Sequence, residues 1–187
     1  MNVVAGSLPG VLIFQPPSFP DARGMFRELY RAPSYADAGL TETFVQDNLS
    51  RSIQHTLRGL HLQNPRAQGK LVMVLDGSVY DVAVDVRRGS PTFGRWEGFE
   101  LNAETGRQVY VPPGFAHGFL VLSDSALVMY KCTALYSPSD ELCVRWDDPA
   151  IRIVWPVETP VLSARDACAP SLGQIPLQRL PRFDTSP

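Results

Sequence analysis

Residues 70–85 read KLVMVLDGSVYDVAVD. Apolar and β-branched positions flank Asp76-Gly77, a pair that suits a two-residue turn because a type I′ turn needs positive φ at both central residues. The pattern predicts a β-hairpin from Leu71 to Val86. In that register Leu75 pairs with Ser78 and Lys70 with Ala83. Lys70, Val72 and Val74 then share a face with Val79, Asp81, Ala83 and Asp85, because side chains alternate along a strand. Asp81 and Asp85 become diagonal neighbours of Lys70. One ammonium between two carboxylates is either an ion pair at the mouth of a barrel or a lysine aimed at a substrate oxygen. The segment alone leaves both open.

The same punctuation continues outward. A second hairpin is expected from Ala116 to Thr133 across Ser123-Asp124-Ser125; a two-residue loop there puts His117 and Tyr130 on one face. Residues 10–15 read as an opening strand, Asp21-Ala22-Arg23-Gly24 as a turn and residues 33–39 as a brief helix. From Phe44 onward, short apolar runs alternate with turns, as a sandwich or barrel requires. Seventeen prolines and fourteen glycines in 187 residues fit many short strands better than helices. One domain over residues 1–170 is expected, followed by a peripheral tail over 171–187.

A net charge of −2 argues against nucleic-acid binding, which usually needs a basic face. A small anionic substrate needs only a few arginines in one pocket. Cys132, Cys143 and Cys168 are odd in number and form no CxxC, so free thiols in a reducing compartment are expected. Val11-Leu12-Ile13-Phe14 is too short for a signal peptide or a membrane span. The expectation is a soluble cytoplasmic protein with no membrane or nucleic-acid partner.

Of the three histidines, His55 lies in a polar loop. His61 sits in Leu57-Arg58-Gly59-Leu60-His61-Leu62-Gln63, a strand, and His117 follows the turn Pro112-Pro113-Gly114. Strict alternation sets Arg58 and His61 on opposite faces. They share a pocket only if the strand bulges, and Gly59 is a natural place for that.

Several segments resemble the dTDP-4-dehydrorhamnose 3,5-epimerase family. They include Phe44-Val45-Gln46-Asp47-Asn48, Leu57-Arg58-Gly59-Leu60-His61, Gln68-Gly69-Lys70-Leu71-Val72 and Tyr80-Asp81-Val82-Ala83-Val84-Asp85. Ser90-Pro91-Thr92-Phe93-Gly94, Pro113-Gly114-Phe115-Ala116-His117-Gly118-Phe119, Tyr130-Lys131-Cys132-Thr133, Tyr136-Ser137-Pro138 and Leu162-Ser163-Ala164-Arg165-Asp166 complete the series. They occur in order between about residues 10 and 170. The resemblance implies an all-β, cupin-type double-stranded β-helix (a jelly-roll barrel) with a few short helices. It also implies a homodimer that exchanges N-terminal strands, and it implies neither cofactor nor metal.

By the same resemblance the substrate is dTDP-4-keto-6-deoxyglucose, whose C3 and C5 hydrogens flank a ketone. Abstraction of either leaves an enolate, and reprotonation on the other face inverts the centre. His61 matches the base, Asp166 its carboxylate partner, Lys70 the cation at the enolate oxygen and Tyr130 the acid on the opposite face. His117 matches a residue lining the same pocket. Arg23 and Arg58 match phosphate-binding positions, and Glu28, Gln46, Asn48 and Glu141 others around the nucleotide and sugar. Leu49 and Leu135 depart from the family pattern, at positions commonly histidine and aromatic, which leaves open whether C3, C5 or both are inverted. A metal-dependent cupin is the competing enzyme class, but its His-x-His pair reads His61-Leu62-Gln63 here. A non-catalytic nucleotide-sugar-binding module is the other alternative.

Overall fold

The structure, a computed structural model, describes residues 1–183. Thirteen strands and two short helices follow in the order β1 (Asn2–Ala5), β2 (Leu12–Gln15), β3 (Ser18–Asp21), β4 (Gly24–Arg27), α1 (Ala32–Asp37), β5 (Gln46–Ile53), β6 (Leu57–Gln63), β7 (Lys70–Asp76), β8 (Ser78–Asp85), β9 (Trp96–Asn102), β10 (Gln108–Val111), β11 (Phe115–Val121), β12 (Ser125–Cys132), β13 (Glu141–Cys143) and α2 (Ala164–Ala167). Two antiparallel sheets face each other. The six-stranded one runs β1-β2-β10-β7-β12-β5 and the five-stranded one β13-β6-β11-β8-β9, while β3 and β4 form a separate hairpin. Two packed antiparallel sheets of this kind are the jelly-roll architecture. No helix among the described residues is long and apolar enough to cross a membrane.

Neither expected hairpin exists. β7 pairs with β10 and β12, and β8 pairs with β11 and β9. Asp76-Gly77 is therefore a corner that carries the chain from one sheet to the other. The Ser123–Ser125 turn does the same, since β11 pairs in the five-stranded sheet and β12 in the six-stranded one. A tight turn fixes chain reversal but not which strand the chain reverses beside, and here burial of both inner faces wins. The expected inward set survives on different grounds. Val72 and Val74 of β7 and Val79 and Ala83 of β8 meet in one interior cluster, from opposing sheets rather than as paired neighbours.

Both outer faces are also covered at their centre, which is why β7, β8 and β11 are buried along nearly their whole length. Tyr35 of α1 and Leu40 pack on Phe14, Leu71, Met73 and Tyr110 behind the six-stranded sheet. Leu172, Ile175 and Leu180 pack on Leu60, Leu62, Val82 and Val84 behind the five-stranded sheet. The segment 171–183 thus contributes three buried side chains to this cover; residues 184–187 lie outside the described residues.

Asp85 does not approach Lys70. It is fully buried and accepts from the backbone N–H and guanidinium of Arg87 and from the hydroxyls of Ser90 and Thr92. Burial raises its pKa, but those donors more than offset this and hold it below the usual carboxylate value. It organises the loop after β8 and has no place at the site.

Candidate active site

The strand β6 does bulge. In its pairing with β11, His117 lies opposite His61 and Phe119 opposite Arg58, so three steps on β6 match two on β11. The extra residue falls at Gly59-Leu60 and turns Arg58 to the same side as His61. Gly59 has φ +120°, and a Cβ there would stand 2.7 Å from Gly118 Cα and from the His117 carbonyl oxygen. Only glycine lets the two strands approach this closely.

Arg58, His61, Lys70, His117, Tyr130 and Asp166 line one cavity of about 460 Å³ between the sheets. Gln46, Asn48 and Glu141 line an adjoining recess that shares His61, Lys70 and Tyr130. His61 and His117 stand on the five-stranded sheet; Lys70, Tyr130 and Asn48 stand on the six-stranded one, with Tyr130 paired to Val72 and Asn48. His117 and Tyr130 therefore face each other across the interior instead of sharing a hairpin face. Arg23 and Glu28 are elsewhere. Arg23 is at the exposed tip of the β3–β4 hairpin, paired with Asp21, and Glu28 pairs with Arg31. Leu49 and Leu135, the two departures, are 62% and 65% exposed and line neither part of the cleft.

His61 Nε2 and Asp166 Oδ1 are 2.6 Å apart. Asp166 is buried in α2, where its backbone N–H donates to the Ser163 hydroxyl that caps the helix. Burial lowers the His61 pKa, but the hydrogen bond to Asp166, the Cys143 sulfur and the charge of Asp166 carry it up to about 9. Burial raises Asp166, yet the His61 ring holds it below its ordinary value. With Asp166 accepting from Nε2, the other ring nitrogen carries the lone pair that can take a proton.

Lys70 is 8% exposed, and its ammonium donates to the His61 carbonyl oxygen at 3.3 Å. Burial lowers its pKa against the charges of Cys132, Asp81 and Glu141. Tyr130 is raised chiefly by burial, so its phenol stays protonated at neutral pH, although Arg58 pulls the other way. His117 Nε2 bonds Asp81 Oδ2 at 2.8 Å, which fixes the ring. The Arg58 guanidinium donates to the Ser52 hydroxyl at 2.9 Å.

Two residues with a bearing on the site were given no role from the sequence. Cys143 is the strand partner of His61 on β13. Arg165 donates to the Cys143 sulfur at 3.0 and 3.1 Å and to Glu141 Oε1 at 2.6 Å. His61, Cys143 and Asp166 together offer nitrogen, sulfur and oxygen donors within 4.8 Å of one another. A solitary cysteine has no spacing to read, and strand pairing alone reveals it.

The arrangement can abstract a proton from one side of a bound carbon acid, stabilise the oxyanion that results and deliver a proton from the other side. The family model described as dTDP-4-dehydrorhamnose 3,5-epimerase matches residues 5–174. The dTDP-4-dehydrorhamnose 3,5-epimerase of Salmonella typhimurium is 51% identical over 177 residues, covering 93% of this chain and 97% of that protein. The enzyme of the same name from Neisseria gonorrhoeae is 47% identical over 93% of this chain, which spans about half (53%) of that longer protein. A crystal structure of dTDP-6-deoxy-D-glucose-3,5-epimerase from Legionella pneumophila, in complex with dTDP-4-keto-L-rhamnose, superposes with a TM-score of 0.95 at 47% identity, covering 98% of this chain and 99% of that one. Sequence motifs, jelly roll and cleft agree with these matches, and the chain belongs to the dTDP-4-dehydrorhamnose 3,5-epimerase family.

Proposed function

We propose that this protein inverts C3 and C5 of dTDP-4-keto-6-deoxy-D-glucose, giving dTDP-4-dehydro-L-rhamnose. The observation that carries this reading is the opposition of His61, on one sheet and paired with Asp166 of α2, to the Tyr130 phenol on the other sheet, with Lys70 in the same cleft. The neutral His61 ring takes the proton from the carbon beside the ketone. The electron pair of the broken C–H bond moves to the ketone oxygen, where the Lys70 ammonium stabilises the enolate. Tyr130 returns a proton to the other face and inverts the centre. His117, held by Asp81, lines the pocket around the sugar. Arg58 supplies charge for the diphosphate, and Gln46, Asn48 and Glu141 supply polar groups for the rest of the nucleotide sugar.

The working unit in this reading is a homodimer. On the exposed β3–β4 hairpin Phe19, Met25 and Phe26 are open to solvent, and Val45, Leu49 and Ile53 lie exposed on or beside β5, an edge strand. A second copy would cover this apolar surface. Arg23 and Glu28, remote from the cleft of their own chain, would then serve the cleft of the partner.

The test is solvent exchange. The protein is incubated with dTDP-4-keto-6-deoxy-D-glucose in deuterated water, and C3 and C5 are followed by NMR. Deuterium at both carbons, abolished by His61→Ala, is the expected result. Deuterium at one carbon makes the protein a mono-epimerase. No deuterium at either sinks the assignment and favours a nucleotide-sugar-binding role.

A further inference from the structure

His61, Cys143 and Asp166 come from three elements, β6, β13 and the short helix α2, yet their side chains converge. His61 and Cys143 are directly opposed on neighbouring strands. One donor atom from each of the three lies within 4.8 Å of the others. We propose that these residues form a binding site for a soft divalent cation of the zinc class, and that its occupancy inhibits the enzyme by taking the imidazole of the base. The inhibitory half rests on His61 being that base; the binding half does not.

The donor set selects the ion. Zinc accepts thiolate, imidazole and carboxylate together in a tetrahedron, whose edges, from bond lengths of 2.0 to 2.3 Å, are about 3.4–3.6 Å. The three donors lie within 4.8 Å of one another, and the His61–Asp166 contact of 2.6 Å opens by about 1 Å to admit the ion. Magnesium and calcium need six or more oxygens and find one carboxylate here. His61 and Asp166 line the cavity between the sheets, which gives the ion a way in.

Supporting groups are already present. The Ser163 hydroxyl holds the backbone of Asp166, and the Arg165 guanidinium donates twice to the Cys143 sulfur. Metal sites rely on such outer hydrogen bonds to aim their ligands. The charge of Arg165 is itself offset by Glu141 at 2.6 Å, so it opposes a cation only weakly. On binding, the thiol proton and the proton between His61 and Asp166 leave to solvent, and the dication replaces them.

The test uses the full chain, freed of metal by a chelator and titrated without substrate with cobalt(II) and then zinc. One cobalt per chain with a thiolate-to-cobalt charge-transfer band, bleached by zinc, is expected. Cys143→Ser should lose the band and weaken zinc binding about tenfold or more. Asp166→Asn, which keeps the cysteine and the shape of the helix, should weaken binding while retaining the band. Cys168→Ser, at an exposed thiol, should behave as the parent. A band that survives Cys143→Ser, or one lost with Cys132→Ser instead, overturns the site. In parallel, zinc should slow solvent exchange at C3 and C5, and a chelator should restore it. Stoichiometric binding at Cys143 with no loss of rate overturns the inhibition. A protein that shows the band but never turns over the sugar leaves the metal site standing and sinks the epimerase reading alone.

Discussion

Asp166 meets His61 at 2.6 Å across 105 residues of sequence. The pair fixes the sign of the pH dependence. Abstraction needs the neutral ring, and the His61 pKa lies at about 9, so kcat/KM should rise with pH toward that value. Tyr130 must stay protonated, and its pKa is raised above that of an ordinary phenol, so the falling limb lies higher still. Asp166→Asn removes the group that lifts His61. Its rising limb should move to lower pH while kcat drops by about 10²- to 10⁴-fold. A limb that stays in place would show that Asp166 does not set the pKa of the base.

Tyr130→Phe separates the two proton transfers. His61 still removes hydrogen from its own face, and without the phenol it can return solvent deuterium only there. The expected result is deuterium uptake with retained configuration, while epimerised product falls by about 10²- to 10⁴-fold. Equal loss of uptake and inversion, read by NMR in deuterated water, would remove Tyr130 from the role of acid.

Lys70→Met tests whether the buried ammonium serves chemistry or the fold. Desolvation dominates at Lys70, so its charge is held at some cost to stability. Turnover should fall by about 10²- to 10³-fold, whereas thermal stability should be unchanged or higher. A drop of several degrees in Tm would mark Lys70 as structural.

Gly59→Ala should strain the bulge. The new methyl would stand 2.7 Å from backbone atoms of β11 at a φ of +120°. Strain and overpacking each cost about 1–3 kcal/mol, so urea unfolding should show a loss of at least about 2 kcal/mol. KM should rise as well, because the bulge is what turns Arg58 toward His61. An unchanged midpoint would mean that the strands can separate at this point.

Phe26→Glu and Leu49→Glu place charges in the apolar surface assigned to the second copy. Light scattering should show a dimer for the parent chain and a monomer for the double variant, with nucleotide affinity lost if Arg23 and Glu28 act across the interface. A parent chain that is monomeric overturns the dimer reading.

Much of this is legible in the sequence. Alternation in residues 70–85 correctly sorted Lys70, Val72, Val74, Val79 and Ala83 toward the interior, because side-chain period is a property of the strand itself. Strand partners were not legible. Asp76-Gly77 is chemically the same turn whether it closes a hairpin or rounds a corner between sheets, and only the global burial of both faces decides. Asp85 was misplaced for that reason and is held by Arg87, two residues away. The bulge at Gly59 was readable, since strict alternation separated Arg58 from His61 and a glycine stood between them. The role of Cys143 was invisible, because it lies in being opposite His61 on a strand 82 residues downstream. The cover by Leu172, Ile175 and Leu180 is not legible, because irregular backbone leaves no period to count.

The two corners also govern how the molecule is made. β7 and β8 do not pair, nor do β11 and β12, so most sheet neighbours are far apart along the chain. Such non-local pairing makes folding slow, and strand edges wait unpaired during synthesis. The β5 edge waits for β12, and β6 waits for β11 and then β13. A nascent chain that ends before Asp166 has a histidine but no carboxylate to hold it. The carboxylate that orients the imidazole is thus among the last parts of the fold to be synthesised.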